Sequence, residues 1–196
     1  MNLSNKLTLS RIGLTFVFMV FLFMKGFSFK ILALLTFVAA SWTDFLDGYL
    51  AKKRNEVSDF GKFMDPIADK VLVISAFLAF VEMNLVPAWI VVIIVSREFL
   101  ITGLRLIALA KGEVIAAAMA GKHKTVSQMV SIYLILFFIV FKESGTRIFS
   151  FWNQDLEYIY KEVIFYIMLI TAILTLISGI SYLLKNKRFF INAKDR

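Results

Sequence analysis

Four aspartates, Asp44, Asp47, Asp65 and Asp69, stand out in a chain with only 14 acidic residues among 196. Asp44 and Asp47 are three apart, and Asp65 and Asp69 are four apart. In a helix each pair shares one face. Carboxylates brought together without matching cations repel, and each raises its neighbours' pKa. A divalent cation is the natural compensation. An all-oxygen donor set suits Mg²⁺ or Mn²⁺, ions that usually act together with substrate phosphates. Two ions suit four carboxylates better than one. Gly48 follows Asp47, Ala51 lies one turn beyond it, and Gly61 lies one turn before Asp65. Such small residues let a ligand lie against the backbone, although they also mark plain helix packing. The competing reading of the acids is solvated helix-end charge balanced by Lys52, Lys53, Arg54, Lys62 and Lys70. All four at these spacings, with glycines beside them, favour a metal site.

The elements that must position these residues are membrane helices. The chain is 60% apolar and 18% charged, has no cysteine and two prolines, and has a mean hydropathy of +0.80. Soluble domains run at roughly 45–50% apolar and about 25% charged. This composition excludes a disordered chain, a disulfide scaffold and a zinc ribbon, and leaves a polytopic all-α membrane protein. A bilayer core about 30 Å thick takes roughly 20 apolar residues per helix. The run 163–184 carries no charge at all, and 71–96 is broken only by Glu82, with Pro87 soon after. The pattern predicts six transmembrane helices, at about 7–25, 29–54, 60–82, 86–110, 121–141 and 159–185. The chain reads as a single domain over 1–196, without internal repeats. The first helix reads as retained, since residues 25–29 offer no small-residue cleavage site.

Lysines and arginines set the orientation. With the N-terminus cytoplasmic, 17 of the 22 basic residues, Arg11, Arg97 and Lys124 among them, fall on or near that side. Only Lys25, Lys30, Lys142, Arg147 and Lys161 lie opposite. Both termini are therefore expected inside. The net charge of +8 reads as topology and contact with anionic lipid and substrate, not nucleic acid. Trp42, Trp89 and Trp152 read as an aromatic belt.

The stretch Asp44-x-x-Asp47-Gly48-x-x-Ala51-Lys52, then eight residues, then Gly61-x-x-x-Asp65-x-x-x-Asp69 resembles the signature of the CDP-alcohol phosphotransferases. Their pattern has arginine where this chain has Lys52, with Arg54 two residues on. Lysine keeps the charge and loses the planar fork. The resemblance continues in Asn5–Arg11, in Ser96–Arg105 and in Gly121–Thr125, which look like the branch of that family that makes phosphatidylglycerophosphate. It covers most of residues 5–130, and the last third reads as generic apolar sequence.

The resemblance implies a six-helix membrane fold, usually a homodimer, in the cell membrane with its active site facing the cytoplasm. It implies transfer of a phosphatidyl group from CDP-diacylglycerol to sn-glycerol 3-phosphate with release of CMP, a step of anionic phospholipid synthesis. It also implies that Asp44, Asp47 and Asp65 hold metal and that Asp69 serves as general base. Spacing alone does not separate a base from a fourth ligand. Gly48, Ala51, Lys52 and Gly61 would line the nucleotide. A phosphorylated acceptor needs cations, and Arg97, Arg105, Lys122 and Lys124 are available for it. Arg97 sits inside the fourth helix, where an unpaired cation is costly. Glu98, Thr102 and Arg105 share one face, so Glu98 can orient an arginine. His123 reads as a surface neighbour of that pocket. The rival acceptors are inositol phosphate, phosphatidylglycerol and serine, of which the cations disfavour the last. A rival of another class is a cation transporter; the acids' position at one membrane face and the lack of an inverted repeat disfavour it.

Overall fold

The computed structural model describes residues 3–54, 59–110, 120–147 and 152–186. Among them there is no strand. Six helices follow in order: α1 (Leu3–Phe23), α2 (Phe27–Arg54), α3 (Asp59–Glu82), α4 (Ala88–Ala110), α5 (Ala120–Arg147) and α6 (Gln154–Lys185). The six expected helices are present, with ends that differ by a few residues. The largest differences are at the end of α5 and the start of α6. There the helices run past the apolar block into charged sequence. Glu157 binds both Lys142 at 2.8 Å and Lys161 at 3.2 Å, and Trp152 stacks on Tyr160 with centroids 5.3 Å apart. Phe138 and Phe141 complete that cluster. Trp152 is thus packed inward and half-buried, whereas Trp42 and Trp89 are exposed, as an aromatic belt requires.

Two tight connections fix the hairpins. Gly26 joins α1 to α2 at φ +126°, a conformation that side chains rarely tolerate. At the end of α3, Asn84 sits at φ +56°. Its N–H donates to the Val81 carbonyl at 2.9 Å, and the Leu85 N–H donates to the Phe80 carbonyl at 2.9 Å. These are the paired bonds of a Schellman cap, in which asparagine substitutes for glycine. Asn153 caps α6 by accepting from the Leu156 N–H at 2.8 Å, with Asp155 and Glu157 complementing the dipole in the first turn.

α1 packs against α2 and α3; α5 against α2, α3 and α6; α4 against α3 and α6. The core between them contains Phe18, Phe37, Phe77, Phe80, Ile90 and Ile132, all fully buried. Phe16, Leu78, Val92, Phe137 and Ile177 face outward, which suits lipid, where exposed apolar side chains carry no penalty. Among the described residues, Lys124–Thr146 and Gln154–Lys185 are long and apolar enough to cross a bilayer, and Leu7–Phe23 and Phe27–Thr43 are shorter apolar segments. Arg11, counted among the charges near the cytoplasmic side, is buried. It is 1% exposed, between buried Thr8 and Thr15 on one face of α1.

Candidate active site

The carboxylates lie on two helices that share their neighbours. Asp44 and Asp47 belong to α2, and Asp65 and Asp69 to α3; α1 and α5 each touch both helices. Helical register carries Ala33, Phe37 and Ala40, all fully buried, on to positions 44 and 47 at steps of three and four. On α3, the buried Leu72 and Ala76 stand in the same register as positions 65 and 69. The side chains of the four aspartates, and those of Ala51, Lys52 and Lys122, lie outside the described residues, as do Gly48, Gly61 and His123 beyond their helical backbone. Among the described residues no three His, Asp or Glu side chains gather as a metal site. The donor set itself, carboxylate oxygen throughout, fits a hard divalent cation.

Two of the cations expected at the acceptor come together. Arg97, on α4, and Lys124, in the second turn of α5, converge on Glu98. The Lys124 ammonium pairs with Glu98 Oε1, Arg97 Nη1 lies 3.5 Å from the same oxygen, and Gln128 Nε2 donates to it at 3.3 Å. Lys124 is 6% exposed and Glu98 9%, so Lys124 is not a solvated loop charge. The arginine that Glu98 contacts is Arg97, its chain neighbour. Arg105 is exposed and acts on Arg97 through space, as Lys70 of α3 does on Lys124. Among the described residues, two cations share one carboxylate here. Burying ions costs several kcal/mol each unless partners are supplied, and Glu98 is the partner common to both.

The second side of Arg97 comes from α6, which the sequence reading left without a role. Arg97 Nη2 donates to Ser178 Oγ at 2.8 Å. Gly179 lies against the arginine stem, where a Cβ would come within 3.0 Å of Arg97 Cγ. Arg97 Nε and the Tyr182 hydroxyl are buried without a hydrogen-bond partner among the described residues. Above them, Ser131 of α5 and Thr171 of α6 share a hydrogen bond of 2.7 Å. The signal for this was in the sequence. Thr171, Thr175, Ser178 and Tyr182 recur at steps of four, three and four, a polar stripe along one face of an otherwise apolar helix, and all four are buried.

A six-helix bundle with this aspartate signature belongs to a defined class: residues 1–185 match the family model of CDP-alcohol phosphatidyltransferases, and the chain is a member of that family. Members generally use divalent metal ions. The chain is 37% identical over 191 residues to the CDP-diacylglycerol–glycerol-3-phosphate 3-phosphatidyltransferase of Rickettsia bellii, covering 96% of this chain and 97% of that one. The Bacillus subtilis protein of the same name is 44% identical over 148 residues, 69% of this chain and 76% of its own. A probable phosphatidylglycerophosphate synthase of Mycobacterium tuberculosis is 40% identical over 138 residues, 69% and 66% of the two chains. With its apolar outer faces, the chain is a membrane protein.

Proposed function

We propose that this protein is a transferase of phospholipid synthesis that moves the phosphatidyl group of CDP-diacylglycerol onto sn-glycerol 3-phosphate. The products are phosphatidylglycerophosphate and CMP. The observation that carries this is the match to enzymes of that name along nearly the whole chain, joined to a largely buried pair of cations suited to a phosphorylated acceptor.

In this reading Asp44, Asp47 and Asp65 hold two divalent ions, Mg²⁺ or Mn²⁺. When bound, such ions neutralise the charge of the donor pyrophosphate and of the departing nucleotide. Asp69 takes the proton from the acceptor's 1-hydroxyl as that oxygen attacks the lipid-linked phosphorus and CMP leaves. Gly48, Ala51, Lys52 and Gly61 line the nucleotide. Arg97 and Lys124 bind the acceptor phosphate, with Arg105 and Lys122 at the cytoplasmic mouth. Arginine offers two parallel N–H donors to phosphate and lysine a point charge. Six transmembrane helices form one catalytic domain in the cell membrane, with both termini and the active site on the cytoplasmic side. Two copies form a homodimer.

The test is release of CMP by purified protein given CDP-diacylglycerol and, in turn, glycerol 3-phosphate, inositol phosphate, phosphatidylglycerol and serine. Turnover is expected with glycerol 3-phosphate alone. It should stop on chelation and return with Mg²⁺ or Mn²⁺. Asp69→Asn should abolish turnover in a protein that keeps its thermal midpoint; normal CMP release by that variant would remove Asp69 from the base role. Turnover with another acceptor and none with glycerol 3-phosphate would reject the main assignment.

A further inference from the structure

We infer that Ser178 and Gly179 of α6 are positioning residues that set Arg97 for the acceptor phosphate. The inference rests on the reading of Arg97 given above. Arginine carries about 2 kcal/mol of side-chain rotamer entropy, so an arginine that must meet a phosphate gains from being fixed beforehand. Here three contacts fix it. Nη2 donates to Ser178 Oγ at 2.8 Å, and the donor and acceptor are 81 residues apart in sequence. Nη1 lies 3.5 Å from Glu98. The aliphatic stem runs across Gly179, where an added Cβ would stand 3.0 Å from Cγ and 3.7 Å from Nε.

The absence of a side chain at 179 is therefore part of the device. A methyl there presses on a stem whose guanidinium is held at its other end by Ser178 and Glu98, so the stem must give by a few tenths of an ångström and strain the head's contacts. Ser178 is 2% exposed and adjoins Gly179 in sequence, so one turn of α6 provides both the anchor and the clearance. Guanidinium has five N–H donors. Ser178 and Glu98 each engage one N–H of Nη2 and Nη1, so the second N–H of each nitrogen remains for a substrate oxygen. Neither residue touches substrate in this scheme. Both act through Arg97.

The full chain, purified with divalent metal, distinguishes this from simple packing. CMP release is measured against glycerol 3-phosphate at saturating CDP-diacylglycerol, and then with the two roles reversed. Ser178→Ala should raise KM for glycerol 3-phosphate about tenfold, the scale of one lost hydrogen bond to a charged group. Its KM for CDP-diacylglycerol should stay unchanged. Ser178→Thr, which keeps the hydroxyl, should restore the wild-type value. Gly179→Ala should raise the same KM, by less. In an Arg97→Gln background neither substitution should add anything further. If Arg97→Gln raises that KM while Ser178→Ala and Gly179→Ala do not, α6 does not position the arginine. Additive effects in the double variants would overturn the inference too. If Arg97→Gln itself leaves the KM for glycerol 3-phosphate unchanged, the acceptor-phosphate reading fails first, and this one with it.

Discussion

Glu98 is the residue on which the described electrostatics turn. One of its oxygens receives Lys124, Gln128 and Arg97, with Glu98, Lys124 and Gln128 buried and Arg97 partly so. Removing one partner of a buried ion pair is far costlier than the pair is worth, because the other charge stays buried alone. Glu98→Gln should therefore destabilise the protein by about 3 kcal/mol, read as a lower thermal midpoint in detergent. Adding Lys124→Met to that variant should recover part of the loss, since it removes the stranded ammonium. An unchanged midpoint for Glu98→Gln would mean that water reaches the cluster. Glycerol 3-phosphate at saturation should raise the wild-type midpoint, by ligand linkage, and should raise that of an Arg97→Gln variant less.

At the scale of elements, helix types follow from the apolar runs, while helix ends follow from local contacts. The α1–α2 connection depends on one residue, Gly26 at φ +126°. Space for a methyl exists there, with Phe29 at 3.6 Å from a built Cβ, so strain in the backbone and not collision is the cost. Gly26→Ala should destabilise by about 1–2 kcal/mol, measured as a fall in thermal midpoint, while the KM for either substrate stays unchanged. At the α3 end, Asn84→Gly should be neutral or slightly stabilising, whereas Asn84→Val should lower the midpoint, because a β-branched residue resists positive φ. The same thermal assay checks both. The charged ends of α5 and α6 teach a related lesson. An apolar run marks where lipid could lie, yet Lys142, Glu157 and Lys161 pair with one another and let the helices continue beyond it.

The whole molecule presents a bundle with apolar outer faces and a polar interior near Arg97. The absence of native cysteine makes its orientation directly measurable. A single cysteine replacing Asn84 should react with an impermeant maleimide added outside intact cells. One replacing Lys185 should react only after the membrane is opened. Reaction of both from the same side would reject the three crossings, by α4, α5 and α6, expected between them. Six spans with both termini inside require the first pattern.

The sequence by itself determined the helical class, the number of helices, the tight turn after Glu82 and the aspartate signature. Each of these is written locally: apolar runs of bilayer length, a turn residue beside Pro87, and acids at steps of three and four within single helices. It also named Arg97 and Lys124 as cations that needed a reason to sit where they do. What it did not yield is which side chains meet. Arg97 and Ser178 are 81 residues apart, and nothing in either segment announces the other. The stripe Thr171, Thr175, Ser178 and Tyr182 was periodic enough to be noticed, but the surrounding leucines and isoleucines make α6 look like lipid-facing filler. Arg11 reads from the sequence as a topology charge, and nothing local shows that it is buried. Only tertiary packing decided these matters. A buried polar group gains its meaning from the partner that satisfies it, and the choice of partner is made by how helices distant in sequence come together.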